Sequence, residues 1–220
     1  MSYSIFKVLE DEFNFDLSLF KYFAGHSLGE YSALVCSGSL DLTDAIYLLH
    51  ARGKAMQEAV PVGKGSMIAI LGSKFEDIQK LIASFTKKGI CEIANDNAEG
   101  QVIVSGDKNT IEEFRLFLKD KKIKFIPLKV SAPFHCSLMK SAAETMKEKI
   151  EQTIFKKPKF EIVSNVTALP ENDTSKIKRL LIEQIFNTVR WRETLLKMSN
   201  SGISNFIEIG PGKVLSGMVK

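Results

Sequence analysis

A serine set between two glycines, with a histidine directly before it, stands at residues 25–29 as GHSLG. The pattern G-x-S-x-G marks a turn from a strand into a helix that lifts a nucleophilic serine above a sheet. A turn that sharp brings backbone segments close together, so glycine is needed where a side chain would clash. The helix that starts after Ser27 adds unpaired N–H groups and a positive dipole end, both of which favour a developing oxyanion. Leu28 N–H, next to the serine, is the natural donor. The competing reading of these five residues is a packed glycine turn without chemistry.

A serine hydroxyl needs a base at neutral pH, and the chain has three histidines: His26, His50 and His135. His26 adjoins the serine, and neighbouring side chains at such a turn diverge, so it reads as a wall of the site. His50 falls inside a helical pattern over residues 42–59. His135 lies in SAPFHCS, where Pro133 stiffens the turn and Ser137 can cap a following helix. A base on that loop is open to His135, although the loop position alone does not decide it. A lipase-type triad runs serine, acid, then a late histidine. Asp96, Asp107 and Glu161 do not fit that order, so the second nitrogen of His135 is expected to meet a backbone carbonyl or amide. Arg52, in LLHARGKAMQ, has small neighbours that would let a guanidinium turn inward and grip a carboxylate. Without further evidence it reads as a surface helix arginine. GPGK at 210–213 lacks the full phosphate-loop pattern and reads as a turn.

The elements that must position these residues follow from periodicity. Residues 2–13 have apolar residues at helical spacing, Leu19–Ala24 reads as a buried strand, and the segment after Ser27 is helical as far as Gly38. Asp41 and Thr43 are candidate caps for the next helix. From Gly65 the order is strand, helix, two strands around a turn at 97–100, helix, strand: the split βαβ arrangement of ferredoxin-like domains. The expectation is an α/β chain, with residues 63–132 as a ferredoxin-like subdomain inserted into an α/β-hydrolase-like core of residues 1–62 and 133–220. The core resumes with a helix over 137–152, the strand FEIVSNV, helices over 174–186 and 190–202, and a last strand NFIEIG.

The 220 residues carry a net charge of +4 and are 45% hydrophobic, as in an ordinary soluble domain. No apolar run approaches the roughly 18–20 residues that cross a bilayer. Met1 and the residues after it do not read as a signal peptide. The three cysteines, odd in number and far apart, give neither a metal spacing nor a disulfide framework, so a cytoplasmic setting is expected. Lysine runs such as KDKKIK and FKKPK read as solvated faces rather than a nucleic-acid patch. An acidic protein partner is the more economical use of them.

Taken together, GHSLGEYSALVCSG, HARGKAMQEAVP, SAPFHCSLM, QIFNTVRW and FIEIGPGKVLSGM resemble the malonyl-CoA:acyl carrier protein transacylases of fatty acid synthesis, in that family's order and over nearly the whole chain. The resemblance implies that Ser27 is acylated, His135 is its base and Leu28 N–H is an oxyanion donor. It implies that Arg52 pairs with the malonyl carboxylate, with His26 beside it, and that Met56 and Phe134 line the acyl pocket. The main-chain carbonyl of Gln184 would orient His135. Malonyl-CoA and the phosphopantetheine thiol of acyl carrier protein would be substrates, with no bound cofactor, metal, nucleic acid or membrane. Family members open on a strand and a GQGSQ-like loop that supplies a second oxyanion donor, and nothing like it occurs here. The expectation is a chain shortened at both ends. Two other readings stay open: a serine esterase, with a carboxylate partner for His135 and no role for Arg52, and a carrier-binding module without catalysis.

Overall fold

The computed structural model describes residues 1–13 and 15–219. It is a mixed α/β fold with two sheets and eight α-helices among the described residues. The first sheet has three short strands, β1 (Tyr22–Ala24), β6 (Glu161–Val163) and β7 (Pro170–Glu171), in the order β1-β6-β7. β1 runs parallel to β6, with Phe23 opposite Ile162. Around it lie α1 (Ser2–Glu12), α2 (Leu28–Cys36), α3 (Leu42–Glu58), α6 (Lys140–Gln152) and α7 (Thr174–Gln184), while α8 (Trp191–Asn200) packs against the second sheet. Tyr31 and Leu34 of α2, Leu48 of α3, Met146 of α6 and Leu181 of α7 are all fully buried in one core here.

The second sheet is antiparallel, with β2 (Gly65–Leu71), β3 (Cys91–Ala98), β4 (Gln101–Asp107) and β5 (Lys124–Pro127) in the order β3-β4-β2-β5. Its strands are joined through α4 (Phe75–Ser84) and α5 (Lys108–Asp120). Alternation along β2 assigns its two faces. Ile68 and Ile70 join Ile78, Ile111 and Phe114 in a core under the helices. Met67 and Ala69 face the other way, where Phe134 packs on them and also on the first core. One strand of this sheet is therefore the surface against which the rest of the chain closes.

The join is specific. Asn95 of β3 bridges Val189 as a parallel pair. Asp96 N–H donates to Val189 O at 2.9 Å, and Val189 N–H to Ala94 O at 2.9 Å. Arg192 of α8 donates Nε–H to both oxygens of the buried Asp96 carboxylate, at 3.0 and 2.9 Å.

Several expectations are corrected. The strand expected from Leu19 starts only at Tyr22: the Asp16 carboxylate accepts from Ser18 N and Oγ, and residues Leu17–Leu19 close into a 3-10 turn. NFIEIG forms no strand, because no edge among the described residues pairs with it. Asp41 precedes α3 without a side-chain capping bond, and its carboxylate meets Lys156 instead. Ser137 opens a 3-10 turn, and its hydroxyl and N–H both donate to Glu92.

Candidate active site

The serine stands where a strand gives way to a helix. β1 ends at Ala24 and α2 begins at Leu28, with Ser27 at φ 51°, ψ −108°. A non-glycine residue there is strained by about 1–3 kcal/mol and needs its surroundings to hold it. Asn165, two residues past β6, does so. Its Oδ1 accepts from Ser27 N–H at 2.7 Å, and its Nδ2 donates to Gly25 O at 2.8 Å. Only the first glycine of the motif is forced by contact. A Cβ on Gly25 would lie 2.0 Å from the Gly29 carbonyl, whereas one on Gly29 would meet nothing within 4 Å. Gly29, unlike Gly25, is therefore not required by a clash, contrary to what the sharp turn leads one to expect of both.

His135 reaches Ser27 from a loop in which it too has a positive φ, 57°. Its Nδ1 is 2.8 Å from Gln184 O and its Nε2 is 2.8 Å from Ser27 Oγ. A carbonyl can only accept, so Nδ1 carries the proton and Nε2 offers its lone pair to the serine hydroxyl. Among the described residues no carboxylate bonds to His135, in contrast to the esterase reading. Burial, then the positive charge of Arg52, push the His135 pKa down to about 3. The imidazole is therefore neutral at pH 7 and free to accept a proton.

Arg52 lies on the buried face of α3, between Leu48 and Met56, and is 6% exposed. The surface reading is thereby corrected. Its Nη2 donates to Ser27 Oγ at 3.1 Å and to Gln184 Oε1 at 3.0 Å. Its Nε is buried without a partner among the described residues. Ser27, Arg52, His26, Met56, Phe134 and His135 line one cavity of about 380 Å³, with Met67, Asn95 and Leu128 of the second sheet and its exit opposite. His26 Nε2 is 2.8 Å from Asn97 Oδ1, and burial lowers its pKa. Its ring tilts against Trp191 at 5.6 Å. Leu28 N–H, the first of α2, donates to no described residue, and the Leu28 side chain is exposed. All eight residues singled out from the sequence thus gather around one hydroxyl, while His50 is exposed on α3.

A sequence profile of the acyl transferase domain family matches residues 21–220. The chain belongs to that family. Among relatives of this acyl transferase domain, the malonyl CoA-acyl carrier protein transacylase of Bacillus subtilis is 45% identical over 199 residues, which are 90% of this chain and 63% of that protein. The enzyme of the same name from Haemophilus influenzae is 42% identical over 198 residues, 90% of this chain and 64% of its own. The chain spans less than two thirds of the length of these two curated relatives. An acyl carrier protein S-malonyltransferase from Vibrio cholerae matches with a TM-score of 0.94 at 40% identity, covering 99% of this chain and 71% of that one. A malonyl-transacylase solved in complex with a type II PKS acyl-carrier protein matches with a TM-score of 0.91 at 38% identity, covering 99% of this chain and 70% of that one.

Apart from Glu30, other residues around Ser27 and His135 carry no clear mark in the sequence. Asn165 and Asn97 are ordinary strand-end and strand asparagines in sequence, and only the fold brings them to Ser27 and His26. Glu92 grips the turn after His135 through Ser137 N–H and Oγ, at 2.7 and 2.6 Å. Glu30 is the one that left a signal. It is a charged residue inside the small and apolar segment LGEYSALVC, three positions after the serine.

Proposed function

We propose that this chain transfers a malonyl group from malonyl-CoA to the phosphopantetheine thiol of acyl carrier protein, through a malonyl ester on Ser27. The observation that carries the reading is the placement of Ser27 Oγ, which donates to His135 Nε2 at 2.8 Å and accepts from Arg52 Nη2 at 3.1 Å. His135 takes the hydroxyl proton as Ser27 Oγ attacks the thioester carbonyl. The oxyanion faces Leu28 N–H and the start of α2. The C–S bond breaks and coenzyme A leaves with the proton from His135. The carrier thiol then gives its proton to His135 and attacks the ester, the C–O bond breaks, and Ser27 Oγ recovers the proton. Arg52, with His26 beside it, holds the malonyl carboxylate, while Met56 and Phe134 bound a cavity that suits a small acyl group.

Both substrates bring their own reactive sulfur, so the reaction calls for no resident cofactor. The split βαββαβ order and the strand order β3-β4-β2-β5 support a ferredoxin-like subdomain at 63–132, inserted in an α/β-hydrolase-like core of 1–62 and 133–220. No helix among the described residues is long and apolar enough to cross a membrane, and a cytoplasmic site of action fits the thioester substrates. The test is intact mass after incubation with malonyl-CoA. One malonyl adduct on the wild-type chain and none on Ser27→Ala is the expected result. An adduct on both, or none on a folded wild-type chain, would overturn the proposal.

A further inference from the structure

We propose that Glu30 is a positioning residue: its buried carboxylate clamps the side-chain amide of Gln184, and that amide sets the serine turn, the arginine and the base in register. The inference rests on the transferase reading above.

Glu30 lies in the first turn of α2, where an acidic residue ordinarily points to solvent and complements the helix dipole. Here it points inward and is 2% exposed. Its Oε2 accepts from Gln184 Nε2 at 2.8 Å and from Asn165 N–H at 3.1 Å. Gln184, fully buried at the end of α7, spreads from there to the whole site. Its Nε2 also donates to Ser27 O at 3.0 Å, its Oε1 accepts from Arg52 Nη2 at 3.0 Å, and its main-chain oxygen accepts from His135 Nδ1 at 2.8 Å. Asn165 in turn holds Ser27 N–H. One oxygen of Glu30 is thus within two hydrogen bonds of the nucleophile's backbone and of the guanidinium.

The chemistry of the amide gives the clamp its direction. Reversed end for end, the Gln184 amide would aim N–H groups at the guanidinium and its oxygen at Glu30, leaving two acceptors facing each other and two donors facing each other. The Glu30 oxygen excludes that arrangement. Both of its donors reach Oε2, and no described donor reaches Oε1. What the site takes from residue 30 is therefore an acceptor oxygen at a fixed point rather than a charge. Burial pushes the Glu30 pKa up to about 7, with the Gln184 and Asn165 hydrogen bonds opposing the shift. That accords with a proton resting on Oε1 while Oε2 keeps its donors.

The test is single-turnover acylation of the full chain by malonyl-CoA and by acetyl-CoA, with thermal unfolding of each variant alongside. Glu30→Met fills the space without an acceptor. Gln184→Met removes the amide and keeps the main-chain carbonyl. A misplacement of about 1 Å at a reacting centre costs about a hundredfold in rate, so each is expected to slow malonyl transfer to Ser27 by about that factor. Each also erodes the preference for malonyl over acetyl, because Arg52 loses its anchor. The double variant is expected to lose no more than either alone. Glu30→Gln restores the oxygen and is expected to recover the rate to within about tenfold of wild type. Wild-type rate and preference in a folded Glu30→Met chain, additive losses in the double variant, or Glu30→Gln as slow as Glu30→Met would each overturn the proposal. Should Glu30→Met not fold, unchanged rate and preference in Gln184→Met would do the same. Failure of the transferase reading looks different, since the wild-type chain itself would then form no Ser27 adduct.

Discussion

Replacing Arg52 with alanine separates the carboxylate from the rest of the acyl group. Arg52 is 6% exposed and lines the cavity beside Ser27, so a malonyl carboxylate there gains charge-assisted hydrogen bonds in a largely desolvated setting. Each such bond contributes about 1.5–3 kcal/mol. Two of them amount to about 3–6 kcal/mol, and water entering the space left by the side chain brings the loss towards the lower figure. At about 1.4 kcal/mol per tenfold, malonyl kcat/KM is expected to fall on the order of a hundredfold to a thousandfold. Acetyl-CoA has no carboxylate and loses nothing at that position. Its acylation is expected to hold or to rise, because Arg52 is one of the charges that hold the His135 pKa down, and its removal makes the imidazole a better base. The acid limb of the acetyl reaction moves to higher pH for the same reason. The assay is release of coenzyme A from each thioester, with wild-type and Arg52→Ala chains compared across pH. Equal losses on malonyl and acetyl would refute the argument, since Arg52 would then serve the serine alone.

Other expectations follow from the same contacts. Glu30 has a folded pKa of about 7 against an ordinary 4.5, a gap worth about 3 kcal/mol. Because the folded value is the raised one, that stability is present below pH 4.5 and is lost as pH rises through 7. Glu30→Gln should therefore raise Tm at pH 8 and change it little at pH 4. His135 acts in the opposite sense. With its folded value depressed to about 3 from 6.5, its contribution is present above pH 6.5 and is lost as pH falls towards 3, so His135→Gln should resist acid unfolding better than wild type. Gly25→Ala should abolish soluble folded protein, whereas Gly29→Ala, with open space around its Cβ, should keep the wild-type Tm to within about 1 kcal/mol of stability. Glu92→Ala frees the turn that follows His135 and should slow acylation by about tenfold or more while KM changes little, as expected for a group felt only through the base.

The sequence revealed the parts of the site that backbone geometry dictates. A serine turn needs glycine beside it, and Gly25 is there because its hydrogen sits against the Gly29 carbonyl. The lack of a well-placed acid before His135 pointed to a backbone acceptor, and Gln184 O is that acceptor. Alternation and helical spacing gave the order of elements from Gly65 to Pro127, because each amphipathic face there meets a neighbour close in sequence. What stayed hidden was set by distant partners. The role of Glu30 is one such case, since nothing local shows that Gln184, 154 positions later, lies over it. Asn165 and Asn97 became site residues only when β6 and β3 came to rest beside the serine turn. NFIEIG has the residues of a strand, but a strand is a relation between two segments, and among the described residues it has no second segment.

The ladder between β3 and residues 188–190 has a consequence for anyone recombining such proteins. Asn95 and Asn97 sit on the very strand that is stitched to Val189, and one lines the cavity while the other holds His26. A chimera that exchanges residues 63–132 would leave the nucleophile, base and arginine with the recipient. It would import Met67, Asn95 and Leu128 as one wall of the cavity beside Ser27, together with the partner of His26. Acyl preference should then travel partly with the donor segment, and the graft should take only where the donor also supplies an acid at position 96 to meet Arg192.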